Sequence, residues 1–459
     1  MGLENAKRQK SEQLELPLIY RGETPNGRRS VEALTAAHDE KRSSDERLME
    51  QVVADGNMLA ALKRVRRNKG SPGIDGMSVE ELTDYMVVNW TRIRQELLAG
   101  SYQPQPVKRV EIPKSSGGVR QLGIPTVVDR MIQQLVLNVL QPKFDPTFSE
   151  HSYGFRPGRN AHQAVKAARR YIQEGRKWVV DVDLEKFFDR VNHDILMSRL
   201  AWRIKDKRIL GLIRRYLEAG IMAQVVVVER WEGTPQGGPL SPLLANVLLD
   251  EVDKELERRG HAFVRYADDG NVYVRSERAA NDVLETLKRL YAGLRLKINE
   301  TKSGVMRTNR SRYLGYGFWT AKGQVIKCRV APKALKAMKE RVRRITSRSS
   351  GRSLAQTAKE LRMYLTGWKE YFRLAETPNV FAGLDKWIGH RLRMVRLKQW
   401  KRGTTTFRGL RAAGVSVSAA ASVAACPYRW WKMAGTSALN IALPNSHFAK
   451  LGVPKLAEV

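Results

Sequence analysis

Hydrophobic residues between Pro125 and Leu140 recur at helical spacing, which predicts a helix with a wide buried face. This face contains Val127, Val128, Met131, Ile132, Leu135, Val136, Val139 and Leu140. Before it, Val107 to Pro113 and Val119 to Ile124 have the composition of strands, and Ser115-Ser-Gly-Gly118 between them predicts a hairpin turn. The first part of the chain therefore combines helices with strands.

Two further short apolar segments carry acidic residues. Lys177-Trp-Val-Val-Asp-Val-Asp183 is a short predicted strand that ends in carboxylates. Ala262 to Arg275 contains two apolar strands on either side of an acidic turn. Helical stretches separate these segments, so the pattern predicts an α+β fold in which an antiparallel sheet carries the acids.

The pattern changes after about residue 330. From Ala331 to Arg411 the chain has 21 Lys or Arg against 5 Asp or Glu, with aromatic residues interspersed. This composition predicts a basic helical domain, and a small C-terminal unit is expected from about Gly403. The chain of 459 residues exceeds the usual size of one domain, which favours two or three packed units.

The formal net charge of +34 is the strongest signal in the overall composition. Such an excess repels itself in a compact fold unless a polyanion neutralises it, so nucleic acid is the expected partner. Ribosomal proteins, polymerases and membrane-surface binders all fit the charge alone. Cys328 and Cys426 are the only cysteines, which excludes a disulfide scaffold and a Cys-rich zinc module. With no secretory signal and no apolar run of about 18 residues, a cytoplasmic protein without membrane contact is expected.

Asp268 and Asp269 lie side by side between apolar strands. Their mutual repulsion raises the pKa of at least one of the two carboxyl groups unless a cation lies between them. Hard carboxylate oxygens suit Mg²⁺. With Asp183 they could form a two-metal site that activates a primer 3′-hydroxyl and steadies the leaving pyrophosphate. An isolated Asp-Asp pair is usually a solvated turn that makes salt bridges. The flanking strands and the motifs around this pair make that alternative negligible.

Several motifs occur in the order known from reverse transcriptases, and together they resemble the reverse transcriptase/maturases of bacterial group II introns. The motifs are Tyr153-Gly-Phe-Arg-Pro-Gly-Arg159, Asp183-Leu-Glu-Lys-Phe-Phe-Asp189, Asn192-His193, Gly233-Thr-Pro-Gln-Gly-Gly-Pro-Leu-Ser-Pro242 and Tyr266-Ala-Asp-Asp269. The resemblance runs from about Leu59 to the C-terminus. It implies a right-hand polymerase with fingers and palm, followed by a helical thumb and a small C-terminal domain.

The resemblance assigns roles to residues of the palm. Asp183 lies five residues before an aromatic residue, Phe188, which corresponds to the steric gate against a 2′-hydroxyl. Asp183, Asp268 and Asp269 are then the catalytic metal ligands. Asp181 is then a structural residue, although spacing alone leaves it a candidate ligand.

Other residues correspond to the site for the deoxynucleoside triphosphate. Gln236 and Gly237 resemble residues that pack on the incoming nucleotide. Lys114 and Arg120 match two basic fingertip residues that grip the triphosphate, and Lys302 is the candidate for protonating pyrophosphate. For Lys114, Arg120 and Lys302 singly, a solvated surface position is the alternative, and for Phe188 an ordinary core position.

The resemblance also divides the chain. The predicted parts are a mobile N-terminal extension at 1–45, reverse transcriptase fingers and palm at 46–325, a thumb (domain X) at 326–402 and a DNA-binding domain at 403–459. Asn68–Gly76 resembles an insertion loop over the template, and Tyr313-Leu-Gly315 is similar to the primer-grip hairpin. Many members add a Cys-rich HNH endonuclease, whereas this chain ends at Val459 without one. We therefore do not expect it to cleave a second DNA strand.

The resemblance implies an RNA-directed DNA polymerase that copies intron RNA into cDNA with two Mg²⁺ ions and assists splicing and mobility. The expected partners are intron RNA, an RNA template with a DNA primer, target DNA and deoxynucleoside triphosphates, in a cytoplasmic ribonucleoprotein of bacteria. Arg341, Arg343 and Arg344 are the candidate RNA contacts of the thumb. The alternatives are a splicing cofactor with incidental polymerase activity and a retron or CRISPR-associated reverse transcriptase.

Overall fold

A computed structural model describes residues 47–113, 119–219, 221–223, 226–228, 232–234, 237–426 and 429–458. The predicted N-terminal extension, residues 1–45, lies outside this part of the chain. The predicted hairpin turn at residues 115–118 also lies outside it.

The described elements alternate between helices and short strands up to residue 330 and are helical beyond it. The strands are β1 (Val107–Pro113), β2 (Val119–Ile124), β3 (Trp178–Val182), β4 (Ile221–Ala223), β5 (Val226–Val228), β6 (Ala262–Tyr266), β7 (Asp269–Val274), β8 (Gly304–Arg307), β9 (Arg312–Tyr313), β10 (Tyr316–Thr320) and β11 (Ile326–Val330). The helices of the first part are Leu48–Val52, Asp55–Asn68, Leu82–Ala99, Val127–Phe144, Ala161–Gln173, His193–Ala201, Lys207–Glu218, Ser241–Arg258 and Glu277–Gly293. Those of the second part are Pro332–Ile345, Leu354–Tyr371, Pro378–Trp400, Gly403–Ala412, Val417–Ala424, Trp430–Ala434, Ser437–Ala442 and Asn445–Lys450. Short 3₁₀ turns span Asp145–Thr147, Phe187–Asp189 and Lys322–Gln324.

The acidic segments lie in one antiparallel sheet, whose strand order is β6-β7-β3-β8. β3 and β7 are its central strands, with Val180 opposite Val272 and Asp181 opposite Asn271. Tyr266 of β6 pairs with Asp269 of β7 across the acidic turn. The antiparallel sheet expected from the hydrophobic pattern is therefore confirmed, as is the α+β class.

Two smaller sheets accompany this one. β2-β1-β4-β5 is a mixed sheet in which β1 and β2 are antiparallel and β1 and β4 parallel. β11-β10-β9 is antiparallel. The predicted strands at Val107–Pro113 and Val119–Ile124 form with the predicted bounds.

The predicted buried helix forms at Val127–Phe144, one turn longer than the hydrophobic pattern indicated. Thr126 caps it, because its Oγ1 accepts a hydrogen bond from Asp129 N at 3.1 Å. The carboxylate of Asp129 accepts further bonds from Tyr102 Oη at 3.0 Å and Tyr216 Oη at 3.2 Å. This buried polar network ties the helix start to the rest of the core.

Two hydrophobic clusters hold the chain together. The first packs the helices before the sheet against its strands, and includes Val180, Val272 and Phe263. The second includes Val179 and Tyr273 of the same sheet together with Leu361 and Leu439 of the C-terminal helices. Because one core continues from the sheet into the C-terminal helices, the predicted boundaries at 325/326 and 402/403 remain predictions. None of the helices in the described ranges has the length and apolar character needed to cross a membrane.

Candidate active site

The acidic turn between β6 and β7 has an unusual backbone. Ala267 takes a left-handed conformation with φ 60°, which is costly for a residue other than glycine. The strand residues on either side, including Phe263, Val264 and Val272, are buried. The turn is therefore held at the edge of the core, as the apolar flanks predicted.

Four aspartates concentrate negative charge at this turn. Burial, with the charges of Asp181, Asp268 and Asp183, raises the pKa of Asp269 to about 7. Burial and the charge of Asp183 raise the pKa of Asp181 to about 6. Asp183 and Asp268 thus lie close enough for their charges to act on Asp269, and Asp181 lies close enough to do the same.

This crowding of carboxylates fits a divalent cation, since a cation between them relieves the repulsion that raises these pKa values. Within the described ranges, no three His, Cys, Asp or Glu side chains already form a metal-binding group. Lys302 Nζ donates to Asp183 Oδ2 at 3.1 Å and so neutralises part of the charge. The oxygen donors present are those that a hard metal ion prefers.

A buried arginine supports the backbone of the acidic turn. Arg265 is 3% exposed, and its Nη1 donates to Ala267 O at 2.9 Å. The same guanidinium binds both carboxylate oxygens of Asp253, with Nη2 to Oδ2 at 2.6 Å and Nε to both oxygens at 2.9 Å. It also donates to Asn246 Oδ1 and Ser152 Oγ. Arg265 therefore connects the acidic turn to the Ser241–Arg258 helix.

The Tyr153-Gly-Phe-Arg-Pro-Gly-Arg159 motif packs directly against this turn. A Cβ on Gly154 would lie 2.1 Å from Ala267 N, so only glycine allows the two backbones to approach. Tyr153 N donates to Arg265 O at 2.8 Å. Arg156, 7% exposed, pairs with Asp145 at 2.9 Å and donates to Ser149 O and Ser152 O. The described contacts of this motif thus support the backbone of the site.

The first palm motif and the glycine-rich motif are joined by backbone hydrogen bonds. Thr234 N donates to Phe188 O at 2.7 Å and Gly233 N to Val191 O at 2.8 Å. Phe188 is half-buried, and its ring meets Phe187 edge-on at a centroid distance of 5.0 Å. The backbone of Phe188, in the motif that the resemblance assigns to metal, is therefore bonded directly to the motif that it assigns to nucleotide.

The predicted nucleotide residues are described only in part. Gly237 has φ 134°, and a Cβ there would lie 2.8 Å from Gly123 O of β2. Arg120 lies on β2 with its backbone opposite Ile112. Lys114, Gln236 and the side chain of Arg120 lie outside the described part of the structure.

A basic cleft of about 1220 Å³ opens beside the site. Its lining includes Tyr266, Gly237 and residues of the Asp55–Asn68 helix. The charged side chains that line it are all cationic: Lys63, Arg64, Arg67, Arg130, Arg156 and Arg159. A cleft with this charge fits a polyanion.

The loop predicted at Asn68–Gly76 contributes Asn68 and Gly70 to the lining of the cleft. Its helix ends at Asn68, and the following residues are irregular, as expected from the glycines. Arg130 Nη2 donates to Ser71 O at 2.7 Å. A Cβ on Gly73 would lie 2.6 Å from Thr126 Cα. The loop is therefore docked on the start of the Val127–Phe144 helix.

The three thumb arginines lie on the Pro332–Ile345 helix and are exposed. Arg341 makes an ion pair with Glu360 at 3.7 Å. The guanidinium of Arg343 lies 5.8 Å from the ring centroid of Trp387. Both partners belong to the two helices that follow, so these side chains lie on the surface of the C-terminal helical part.

Three supports of the site were not predicted. Arg265 could have been noticed as a charged residue inside an otherwise apolar strand, and Gly154 belongs to a motif that gave it no role of its own. Tyr371, whose hydroxyl lies 2.9 Å from Leu314 O, had no local signal.

Two family models match the chain. "Reverse transcriptase (RNA-dependent DNA polymerase)" matches residues 112–318, and "Group II intron, maturase-specific domain" matches residues 335–414. The first match contains all three predicted metal ligands. The second contains the three thumb arginines.

The chain is also similar to individual proteins and to a solved structure. Protein YkfC of Escherichia coli (strain K12) is 32% identical over 306 residues, which cover 58% of this chain and 80% of that protein. The group II intron-encoded protein LtrA of Lactococcus lactis is 40% identical over 181 residues, which cover 39% of this chain and 29% of LtrA. The matched segment thus spans less than a third of LtrA. The structure of telomerase from Candida albicans, in a complex with telomeric RNA, is similar with a TM-score of 0.41 at 12% identity. The match covers 64% of this chain and 60% of the telomerase chain.

Proposed function

The chain belongs to the reverse transcriptase/maturases of group II introns, and from this premise we propose that it copies intron RNA into cDNA and assists intron splicing. The observation that carries the polymerase role is the crowding of Asp181, Asp183 and Asp268 around Asp269 in the palm sheet. A protein that only bound RNA would gain nothing from carboxylates that repel one another. The match to the maturase-specific domain favours this family over retron and CRISPR-associated enzymes.

We propose Mg²⁺ as the metal, with Asp183, Asp268 and Asp269 as its ligands. When bound, Mg²⁺ would lower the pKa of the primer 3′-hydroxyl and neutralise charge on the phosphates. The protein's part is to hold the carboxylates at the ends of rigid strands, with the turn supported by Arg265 and Gly154. Lys302 lies at Asp183, where its ammonium could also meet a departing pyrophosphate.

The substrates in this proposal are a deoxynucleoside triphosphate and an RNA template paired with a DNA primer. Phe188 excludes the 2′-hydroxyl of a ribonucleotide, and Gln236 and Gly237 contact the nucleotide. Lys114 and Arg120 grip its triphosphate. The basic cleft beside Tyr266 holds nucleic acid by its phosphates, which needs no reading of sequence.

The splicing role is assigned to the exposed thumb arginines Arg341, Arg343 and Arg344, which would bind intron RNA. Residues from about 403 onward would contact target DNA. The charge of +34 suits a ribonucleoprotein, which we place in the bacterial cytoplasm.

Primer extension tests the polymerase role. The wild type is expected to extend a DNA primer on RNA in Mg²⁺, whereas Asp268→Ala and Asp269→Ala lose extension and retain RNA binding. Asp282→Asn, an exposed acid on the Glu277–Gly293 helix, is the matched control and should extend normally. Retained extension in either active-site variant would overturn the assignment. If the wild type assisted splicing but extended no primer, the protein would be a splicing cofactor and not a polymerase.

A further inference from the structure

The turn between β9 and β10 has a strained backbone. Leu314 has φ 49° and Gly315 has φ 79°, so both central residues of this two-residue turn are left-handed. Glycine adopts this conformation readily, whereas leucine does so only when its surroundings hold it there. Contacts from outside the hairpin must therefore stabilise the turn.

The contacts come from the end of the Leu354–Tyr371 helix. Tyr371 Oη donates to Leu314 O at 2.9 Å. A Cβ on Gly315 would lie 3.3 Å from the Phe372 ring, so the turn is packed against this helix end. The rings of Tyr316 and Phe372 lie 5.2 Å apart.

The backbone of Tyr371 is itself held in place. Its carbonyl oxygen accepts a hydrogen bond from Tyr316 Oη. His162 Nε2 lies 2.7 Å from the same oxygen and must be the donor, since a carbonyl only accepts. Tyr371 is thus fixed by the Ala161–Gln173 helix and by β10 while its hydroxyl fixes the turn.

The turn shares a hydrophobic cluster with the strands that carry the acids, because Tyr313 is buried in the same cluster as Val264 of β6 and Tyr273 of β7, and Leu314 and Tyr266 both pack against it. Burial raises the pKa of Tyr371, and the nearby Tyr266 and Asp269 raise it further. Burial and the charge of Asp269 raise the pKa of Tyr313, at the start of the turn. Tyr371 remains 38% exposed. A strand end placed at the acids would therefore lie next to this turn.

We infer that Tyr371 is a positioning residue, whose hydroxyl holds the Leu314–Gly315 turn where it orients the 3′ end of the growing DNA strand. The inference rests on the proposed polymerase function. Leu314 lies in the segment that matches reverse transcriptases, and Tyr371 in the segment that matches the maturase-specific domain. A residue of the maturase-specific segment thus sets the geometry of the polymerase site.

Single-turnover primer extension on an RNA template tests the inference. Tyr371→Phe removes the hydroxyl and keeps the ring, and the rate is expected to fall about two- to tenfold, as expected when a single hydrogen bond is removed. The dissociation constant of the primer–template should stay unchanged, because phosphate contacts elsewhere supply most of that affinity. Tyr364→Phe, two turns earlier on the same helix, removes a matched hydroxyl and should leave the rate unchanged.

A second variant reaches the same turn from the other side. Gly315→Ala adds a methyl group against the Phe372 ring at a left-handed position, and should slow extension at least as much as Tyr371→Phe. An equal rate in Tyr371→Phe and Tyr364→Phe overturns the inference. So does a Tyr371→Phe variant whose primer–template affinity falls as much as its rate, since that would indicate general loss of structure. A wild type without extension, or an active Asp268→Ala variant, would overturn the proposed function instead.

Discussion

Arg265 Nη1 donates a hydrogen bond to Ala267 O at 2.9 Å, and this contact holds the left-handed residue between Tyr266 and Asp268. The guanidinium is buried and paired with Asp253, which is also buried. The backbone of the acidic turn is therefore supported by a buried ion pair that lies outside the proposed set of metal ligands.

Replacing this arginine should damage both stability and activity. Arg265→Met leaves Asp253 buried without this partner, which costs roughly 3–5 kcal/mol in the free energy of unfolding. Primer extension should fall because Ala267 loses its support. Urea denaturation and extension assays measure the two effects. Arg259→Met, which removes an exposed partner of Glu255, should leave the free energy of unfolding almost unchanged. Similar stability losses in both variants would contradict the role given to Arg265.

The contribution of Asp269 to the stability of the metal-free protein should fall as pH rises toward neutrality. The pKa of Asp269 is raised to about 7, whereas an aspartate in an unfolded chain titrates near about 3.9. The folded state holds this proton more tightly, so ionisation in the window between these values destabilises the fold. Asp269→Asn lacks this effect and should be more stable than the wild type at about pH 8.

Thermal unfolding in a chelator measures this difference, and Mg²⁺ should reduce it by stabilising the wild type. Asp282→Asn is the control, since its exposed side chain should show no such gain. If Asp269→Asn were less stable than the wild type at about pH 8 without metal, the proposed repulsion would be wrong.

Phe188→Ala should admit ribonucleotides while deoxynucleotide use changes little. The ring is half-buried and the Phe188 backbone is bonded to Thr234 of the glycine-rich motif, so removal of the ring should open space for a 2′-hydroxyl. Incorporation of ribo- and deoxynucleoside triphosphates is compared at equal concentration. Phe187→Leu, a change in the buried neighbouring ring, is the control for packing. Unchanged discrimination in Phe188→Ala would assign the gate to another residue.

Combined replacement of Arg341, Arg343 and Arg344 by Ala should weaken splicing assistance more than polymerisation. These side chains are exposed on a C-terminal helix, and removing a cation that binds an RNA phosphate lowers both the affinity and its dependence on salt. Intron excision at low Mg²⁺ is measured beside cDNA yield on a simple primed template. Equal losses in both assays would mean that the three arginines bind the primer–template duplex. No loss in either assay would mean that they bind no RNA.

The sequence by itself was enough to predict the palm sheet and its acids. Strands such as Ala262–Tyr266 are short, apolar and bounded by turns, so local pattern alone indicates them. The carboxylates could be predicted too, because Asp268 and Asp269 between apolar strands have a chemical cost that a metal relieves. The irregular loop after Asn68 followed from its glycines in the same way.

The tertiary structure decided what supports those acids, since the supporting contacts join residues far apart in the chain. Gly154 touches Ala267, and Tyr371 bonds to Leu314, yet neither partner alters the local pattern of the other. The presence of Asp181 among the acids also depended on strand register, which places it opposite Asn271. Periodicity reports which face of an element is buried; it contains no information on which distant backbone that face meets.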